Sequence, residues 1–466
     1  MMIELTPFLN KTVRTPLYIQ LYQYIKKEIE EGGISPGTLL PSIRYLSRHL
    51  HISKNTVESA YQQLTAEGYT ESKPRSGIKV LPLEKPLVPS GHFTYPERQK
   101  REEEPARRYD FQYGDIDLDH FPFKTWKKCL QDAMNSDSPD LFLYGDRQGD
   151  KGLRAELAKY LFQARGVRCS LEQIVVCSGT QSAVSLLCQL LPSNGRVVAA
   201  ENPGYDGVHS VFLNHGYTIR PIGLEADGID LSQLAESRAK LAYITPSHQF
   251  PYGMVLPIQK RLKLLKWADQ NDAYIIEDDY DSEFRYQGQP IPSLKALDTK
   301  ENVIYLGTFS KCFLPAARLS YIVLPERLTE QFCERFGRYS QSSSPMIQRA
   351  MYLFMKEGFF ERHIRKMKKV YQEKHQTLIS AIEKHFGHEV NIIGEKAGLH
   401  ILMEVRRDIK DLISKAEKHD VKVYPVSDFW IDPHESPSSI VMVGFGGLSE
   451  QDIEEGVKSL YQAWFA

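Results

Sequence analysis

The chain is poor in cysteine, and its cysteines form no pattern. Six thiols in 466 residues (Cys129, Cys169, Cys177, Cys188, Cys312 and Cys333) make no CxxC pair and no metal-ligand spacing. That excludes a disulfide scaffold or a zinc ribbon and fits a reducing compartment. No apolar run approaches the ~18 residues a membrane-spanning helix needs. Met1-Met2-Ile3-Glu4-Leu5-Thr6 lacks the apolar core of a secretory signal, so a cytoplasmic location is expected. An excess of one charge is also missing: 58 Lys/Arg nearly balance 59 Asp/Glu, for a net charge of −1. The molecule as a whole is no polycation, and any nucleic-acid binding must come from a local patch. There is no internal repeat.

What is present suits a globular chain of two or three domains, with 42% apolar and 25% charged residues. Three regions separate by pattern. Residues 14–81 read as short helices and a hairpin. Residues 82–108 hold five prolines and eleven charges, Lys100-Arg101-Glu102-Glu103-Glu104 among them. That composition buries too little surface to repay its ordering and reads as a flexible linker, averaging roughly 30 Å end to end. From 109 to 466, β-branched apolar runs (174–176, 197–200, 241–244, 273–276, 303–306) alternate with helix-period segments such as 258–270, where Leu262, Leu265 and Trp267 are expected to face inward. This alternation predicts an α/β domain with a mainly parallel central sheet, whose ligands sit beyond the carboxyl ends of the strands.

In the first region, apolar residues at 17, 21, 25 and 29 make a helical stripe, ended by Gly32-Gly33. Ser42 is placed to cap a second helix, with Ile43, Leu46 and Leu50 inward, and Ser53 to cap a third, with Val57, Ala60, Tyr61 and Leu64 buried. Tyr69 to Val80 then forms a hairpin around Lys73-Pro74-Arg75-Ser76-Gly77. The pattern predicts a winged helix-turn-helix. Ser53, Lys54, Asn55 and Thr56 open the recognition helix, while Arg44, Arg75, Gly77 and Lys79 offer contacts to phosphates or a minor groove. Residues 1–81 carry ten Lys/Arg against seven Asp/Glu, a net of +3. This modest charge implies two heads on one operator.

The second signal is a lysine. Lys311 follows an apolar strand in Gly307-Thr308-Phe309-Ser310-Lys311, with Arg318 seven residues on, a setting for an amine that bonds an aldehyde cofactor. Ser178-Gly179-Thr180-Gln181 turns from a strand into a helix, whose N-terminus can take a phosphate. Thr308, Ser310 and Arg318 would complete the cup. Asp278 and Tyr280 follow a strand at its carboxyl end, where a carboxylate can keep a pyridine nitrogen protonated and a phenol can bond a ring oxygen. Tyr205, in Glu201-Asn202-Pro203-Gly204-Tyr205, offers a flat face to the ring.

Leu40-Pro41-Ser42-Ile43-Arg44-Tyr45-Leu46-Ser47, with Ile52-Ser53-Lys54-Asn55-Thr56-Val57 and Leu64-Thr65-Ala66-Glu67-Gly68-Tyr69, closely resembles the GntR-type bacterial repressor head. The rest resembles the fold-type I aminotransferases, with a small C-terminal subdomain from about 345. That likeness implies pyridoxal 5'-phosphate (PLP) held as an internal aldimine by Lys311, with Asp278 on the pyridine nitrogen, Tyr280 on the phenolic oxygen and Tyr205 against the ring. It also places Gly179, Thr180, Gln181, Thr308, Ser310 and Arg318 at the phosphate. Tyr144 would reach the phosphate of a neighbouring subunit, implying a homodimer. Together with Thr245-Pro246-Ser247-His248-Gln249-Phe250-Pro251-Tyr252-Gly253 and Glu277-Asp278-Asp279-Tyr280-Asp281-Ser282-Glu283-Phe284, the combination resembles the MocR family of transcription regulators.

Two departures stand out. Phe250-Pro251-Tyr252-Gly253 lacks the asparagine of the aminotransferase turn. Gly447 stands where aminotransferases, and γ-aminobutyrate-responsive members of the family, have an arginine for a carboxylate, and Asp206-Gly207 replaces a second basic residue. Loss of bidentate contacts weighs against turnover of a carboxylate substrate, with Arg406 or Arg407 the remaining substitutes. The expected function is a regulator that binds operator DNA and senses either PLP itself or an amino compound joined to bound PLP. The alternative is a PLP-dependent aminotransferase with an appended DNA-binding domain.

Overall fold

The computed structural model describes residues 5–73, 77–83, 107–135, 139–191, 195–286 and 291–465. The chain divides into two compact units, Met1–Glu103 and Glu104–Ala466. Most of the expected linker, and Arg75 at the hairpin tip, lie outside the described residues.

The first unit packs helices Leu17–Glu30, Ile43–His49 and Lys54–Ala66 beside the antiparallel hairpin of Thr70–Lys73 and Gly77–Val80. The two serines cap as their positions require. Ser42 Oγ accepts from the Tyr45 amide at 3.2 Å and Ser53 Oγ from the Thr56 amide at 3.1 Å, each satisfying a donor that the first helical turn leaves without a partner. Leu21, Ile25, Leu46, Val57, Ala60, Tyr61 and Leu64 form the core, and each buried large side chain contributes about 1.5–3 kcal/mol. Two features extend the sequence pattern. Leu5 is buried in this core and Leu9 packs against it, so the unit begins before residue 14. The hairpin is also tied to the turn preceding the second helix: the Gly37 and Leu40 amides donate to Val80 and Ile78 carbonyls, both at 2.8 Å.

The second unit is built on a seven-stranded sheet in the order Ile174–Cys177, Ser320–Val323, Val303–Thr308, Tyr274–Asp279, Leu241–Ile244, Val197–Glu201, Thr218–Ile222. All pairings are parallel except those of Ser320–Val323, antiparallel to both neighbours. The five apolar runs became buried strands because both faces are covered, four of them inside the sheet and Ile174–Cys177 at one edge. Thr218–Ile222 escapes that reading: it lies at the edge, mostly exposed, with Arg220 and Pro221 inside it, residues that an edge strand tolerates.

On helix Ile258–Gln270 the buried face is Lys260, Arg261, Leu264, Trp267 and Ala268, with Leu265 partly buried. Leu262, expected inward, is 48% exposed. The stripe runs through 260, 264, 267 and 268, which leaves 262 on the opposite face. The long helix Phe359–Phe386 leads to a four-stranded antiparallel sheet (Val390–Ile393, His400–Val405, Ile440–Gly444, Tyr424–Pro425) with helices Ile409–Lys418 and Glu450–Phe465. The chain's return to this region adds Tyr109–Asp110, paired in parallel with Val421–Lys422. Among the described residues no helix is long and apolar enough to cross a membrane.

Candidate functional site

The carboxyl ends of the parallel strands open into a cavity of about 230 Å³ lined by Tyr113, Gly114, Thr180, Gln181, Tyr205, Thr245, Phe250, Asp278, Tyr280, Thr308, Ser310, Lys311, Pro315 and Arg318. Nine residues singled out in the sequence thus meet at one place. Gly179 lies immediately beside it. Tyr144 does not line it, and within the chain is 82% exposed on a segment with Phe142 and Leu143, 61% and 65% exposed.

At one end, strand Ile174–Cys177 turns through Gly179 (φ +108°) into helix Thr180–Leu190. The turn requires glycine twice over. The left-handed φ disfavours a side chain, and a Cβ would lie 2.3 Å from Nη2 of Arg318. That guanidinium donates to the Ser178 carbonyl at 3.0 Å, and Arg318 itself takes a left-handed conformation (φ +50°). The Ser310 amide donates to Thr308 Oγ1 at 3.2 Å, and the two hydroxyls are 3.1 Å apart. A helix N-terminus, a guanidinium and two hydroxyls form an anion cup.

At the other end lies the acidic segment 277–283, in which each carboxylate has its own partner. Glu277 accepts from the Leu294 and Lys295 amides, Asp279 from Arg165 and Tyr305, Asp281 shares His248 Nδ1 at 3.0 Å, and Glu283 accepts from Tyr160. Asp278 differs. Its Oδ2 takes the Tyr243 hydroxyl, while Oδ1 is buried without a partner among the described residues. Burial, with the nearby carboxylates Asp279, Asp281 and Glu201, pushes its pKa up to about 7 against the opposing Tyr243 bond. Tyr280 donates or accepts at His248 Nδ1, 2.9 Å away, and Nε2 of His248 is also buried and unpartnered.

Lys311 Nζ sits 3.7 Å from the centroid of the Tyr113 ring. Burial lowers its pKa to about 8, with Asp281 and Asp115 opposing the shift, so roughly a tenth of the amine is unprotonated at pH 7 and able to attack a carbonyl. Tyr205 forms a side wall with Phe250 set edge-on to it at 6.1 Å. A Cβ at Gly207 would stand 2.7 Å from Tyr205 Cζ, so the glycine after Asp206 makes room for the ring. The asparagine-less turn is filled by Phe250, which packs on Tyr113, Tyr280 and His400. Arg407 is committed elsewhere: it donates to the Trp464 carbonyl and lies over the Phe465 ring. It is no substitute for the missing arginine.

Tyr113, Gly114, Thr245, Phe250 and Pro315 line the cavity without having been expected. Thr245 and Phe250 were visible inside a quoted stretch. Tyr113 and Gly114 carried no local signal.

In the first unit, Ser53, Lys54 and Asn55 are exposed at the start of the third helix, with Thr56 half-buried by its cap bond. Arg44, Gly77 and Lys79 are exposed as well.

Residues 17–80 match the model of bacterial regulatory proteins of the gntR family, and 109–460 that of aminotransferases of class I and II. The HTH-type transcriptional regulator YdeL of Bacillus subtilis is 41% identical over 464 residues, covering 99% of this chain and all of the relative. The probable rhizopine catabolism regulatory protein MocR of Rhizobium meliloti is 32% identical, with 98% and 96% covered. The pyridoxine biosynthesis regulator PdxR of Corynebacterium glutamicum is 28% identical, with 97% of each covered. Among solved structures, the kynurenine aminotransferase of Pyrococcus horikoshii, in complex with PMP, superposes with a TM-score of 0.68 at 26% identity, covering 76% of this chain and 90% of that one. The class is therefore a gntR-type DNA-binding head on a fold-type I aminotransferase body. The chain belongs to the MocR family of transcriptional regulators.

Proposed function

We propose that this protein is a PLP-binding transcription regulator, in which occupancy of the body's cavity alters the grip of the head on operator DNA. The observation that carries the reading is Asp278, which lines the same cavity as Lys311 and whose buried Oδ1 has no partner among the described residues. A buried carboxyl oxygen without a partner is costly, and a protonated pyridine nitrogen supplies the missing donor. The rest of the cavity suits the same molecule. Thr180, Gln181, Thr308, Ser310 and Arg318, with the Gly179 turn, take the phosphate. Tyr205 covers the ring, Tyr280 meets its phenolic oxygen, and Lys311 is the amine to which the aldehyde is joined. Bound there, PLP supplies an electrophilic carbon that reacts with amines.

Operator DNA meets Ser53, Lys54, Asn55 and Thr56 in the major groove and Arg44, Arg75 and Gly77 along the backbone. Tyr144, on its exposed apolar segment, reaches the phosphate of a second copy in a homodimer, and two heads on one operator compensate for the small charge of each. The signal is PLP itself or an amino compound joined to it.

The test is operator binding by purified protein, with and without PLP, for the natural chain and Lys311→Ala. The natural chain should take up PLP with a visible absorption band and change its operator affinity, and Lys311→Ala should do neither while still binding DNA. Identical operator binding with and without PLP in both proteins would rule out cofactor sensing. Sustained turnover of an amino donor with a keto acid at ~1 s⁻¹ or more would favour an enzyme.

A further inference from the structure

The wall beside Lys311 is made by backbone packed too closely to admit side chains. Cβ atoms at Gly444, Gly446 and Gly447 would lie 2.5 Å from the Gln112 carbonyl oxygen, 2.3 Å from that of Asp115 and 2.8 Å from Asp115 Cβ. These three glycines therefore press strand Ile440–Gly444 and its continuation onto residues 112–115. The same pressed segment puts the Tyr113 ring under Lys311 Nζ and Gly114 against it, where a Cβ would be 3.3 Å from Nζ. Asp115 comes next. It is exposed, makes no ion pair or hydrogen bond among the described residues, and follows directly on Gly114, the residue set against Lys311 Nζ.

The charge balance of the cavity is therefore unusual for a site that would hold a carboxylate. Among the described lining residues only Lys311 and Arg318 are cations. Arg318 is bound to the Ser178 carbonyl at the anion cup, and Lys311 is the reacting amine. Among the described lining residues no guanidinium is free for a ligand carboxylate, and the pressed glycines leave no room for one to emerge at 444, 446 or 447. The charged group available near the amine is a carboxylate.

We propose that the compound read by this cavity is a diamine without a carboxylate: one amine reaches the position of Lys311 Nζ, and a second, cationic end is held by Asp115. This rests on the PLP reading above. The ligand nitrogen replaces the Lys311 nitrogen on the same carbon. One C=N bond forms as another breaks, and the two protons given up by the ligand amine end on Lys311. No oxidant or reductant is needed.

Full-length protein loaded with one equivalent of PLP, and freed of excess, is titrated with 1,3-diaminopropane, 1,4-diaminobutane and 1,5-diaminopentane. Each is compared with the ω-amino acid of the same length, and absorbance of the bound chromophore is followed. At least one diamine should half-saturate at roughly tenfold lower concentration than its amino-acid twin, the size of one partly screened charge contact. Asp115→Asn should collapse that ratio, and Asp115→Arg should invert it. An amino acid that matches or beats every diamine overturns the proposal, as does a bound chromophore that answers no amine. A protein that retains no chromophore at all is a different result, which overturns the PLP reading and this inference with it.

Discussion

Lys311 Nζ rests over the face of Tyr113, 3.7 Å from the ring centroid. An ammonium in that position is attracted by the ring quadrupole, by about 0.5–2 kcal/mol, while burial pulls the other way and brings the lysine to about pKa 8. Tyr113→Leu removes the attraction while keeping an apolar side chain against Phe250 and His400. The lysine pKa should fall further, by about 0.4–1.5 units, so the amine is free at lower pH. The rate of PLP uptake, followed by absorbance against pH, should show its midpoint displaced to lower pH by that amount, and Tyr113→Phe should leave it in place. A midpoint that stays put in Tyr113→Leu would show the ring to be packing alone.

Gly179→Ala tests the anion cup. The substitution meets both the left-handed φ of +108° and the Arg318 guanidinium 2.3 Å from the new Cβ. Backbone strain of this kind costs about 1–3 kcal/mol, so PLP affinity should fall by roughly ten- to a hundredfold. Pyridoxal, which lacks the phosphate, should lose much less. Equal losses for the two compounds, measured by equilibrium dialysis, would place the damage outside the cup.

Much of this site was legible in the chain. Asp278, Tyr280, Thr308, Ser310 and Lys311 lie at or just beyond the carboxyl ends of apolar strands, where ligands of parallel sheets bind. The caps Ser42 and Ser53 were legible because a cap is a local relationship, settled within three residues. Tyr113 and Asp115 were not. Their place depends on Tyr109–Asp110 pairing with Val421–Lys422 and on glycines at 444, 446 and 447, contacts more than 300 residues apart in sequence. Leu262 misled because three leucines and a tryptophan in 13 residues allow more than one helical stripe.

Asp278 makes a pH prediction for the cofactor-free protein. Burial raises its folded pKa to about 7, well above the ordinary aspartate value of 3.8. Between those values the folded state holds a proton that the unfolded state has released, so stability falls as pH rises through this window and levels off above it. Asp278→Asn removes the titration. Without PLP, the variant should melt higher than the natural chain at pH 8 and by a smaller margin at pH 5, and with PLP present the natural chain should regain the advantage. Glu201, Glu277 and Glu283 are likewise pushed up to about 7 by burial, so the natural chain keeps part of its slope even in the variant. A melting difference independent of pH would remove the carboxylate from the account.

The head separates phosphate contact from base reading. Lys54 and Asn55 are neighbours on the exposed first turn of the third helix, but their chemistry differs. A lysine on a phosphate releases counterions whatever the sequence, so Lys54→Ala should weaken binding to all DNA alike and reduce the slope of log K against log salt by about one. An asparagine reads a base edge by paired hydrogen bonds worth about 1–3 kcal/mol, so Asn55→Ala should lower affinity for the operator and leave non-specific binding and the salt slope unchanged. Ser53→Ala should act differently again. It removes the bond to the Thr56 amide and should cost the head about 0.5–2 kcal/mol of stability, lowering its melting temperature before it alters DNA binding at low temperature. Titrations at three salt concentrations, on operator and on scrambled DNA, distinguish the three. If Asn55→Ala changes the salt slope and not the ratio of operator to scrambled affinity, this helix is not the element that reads the sequence.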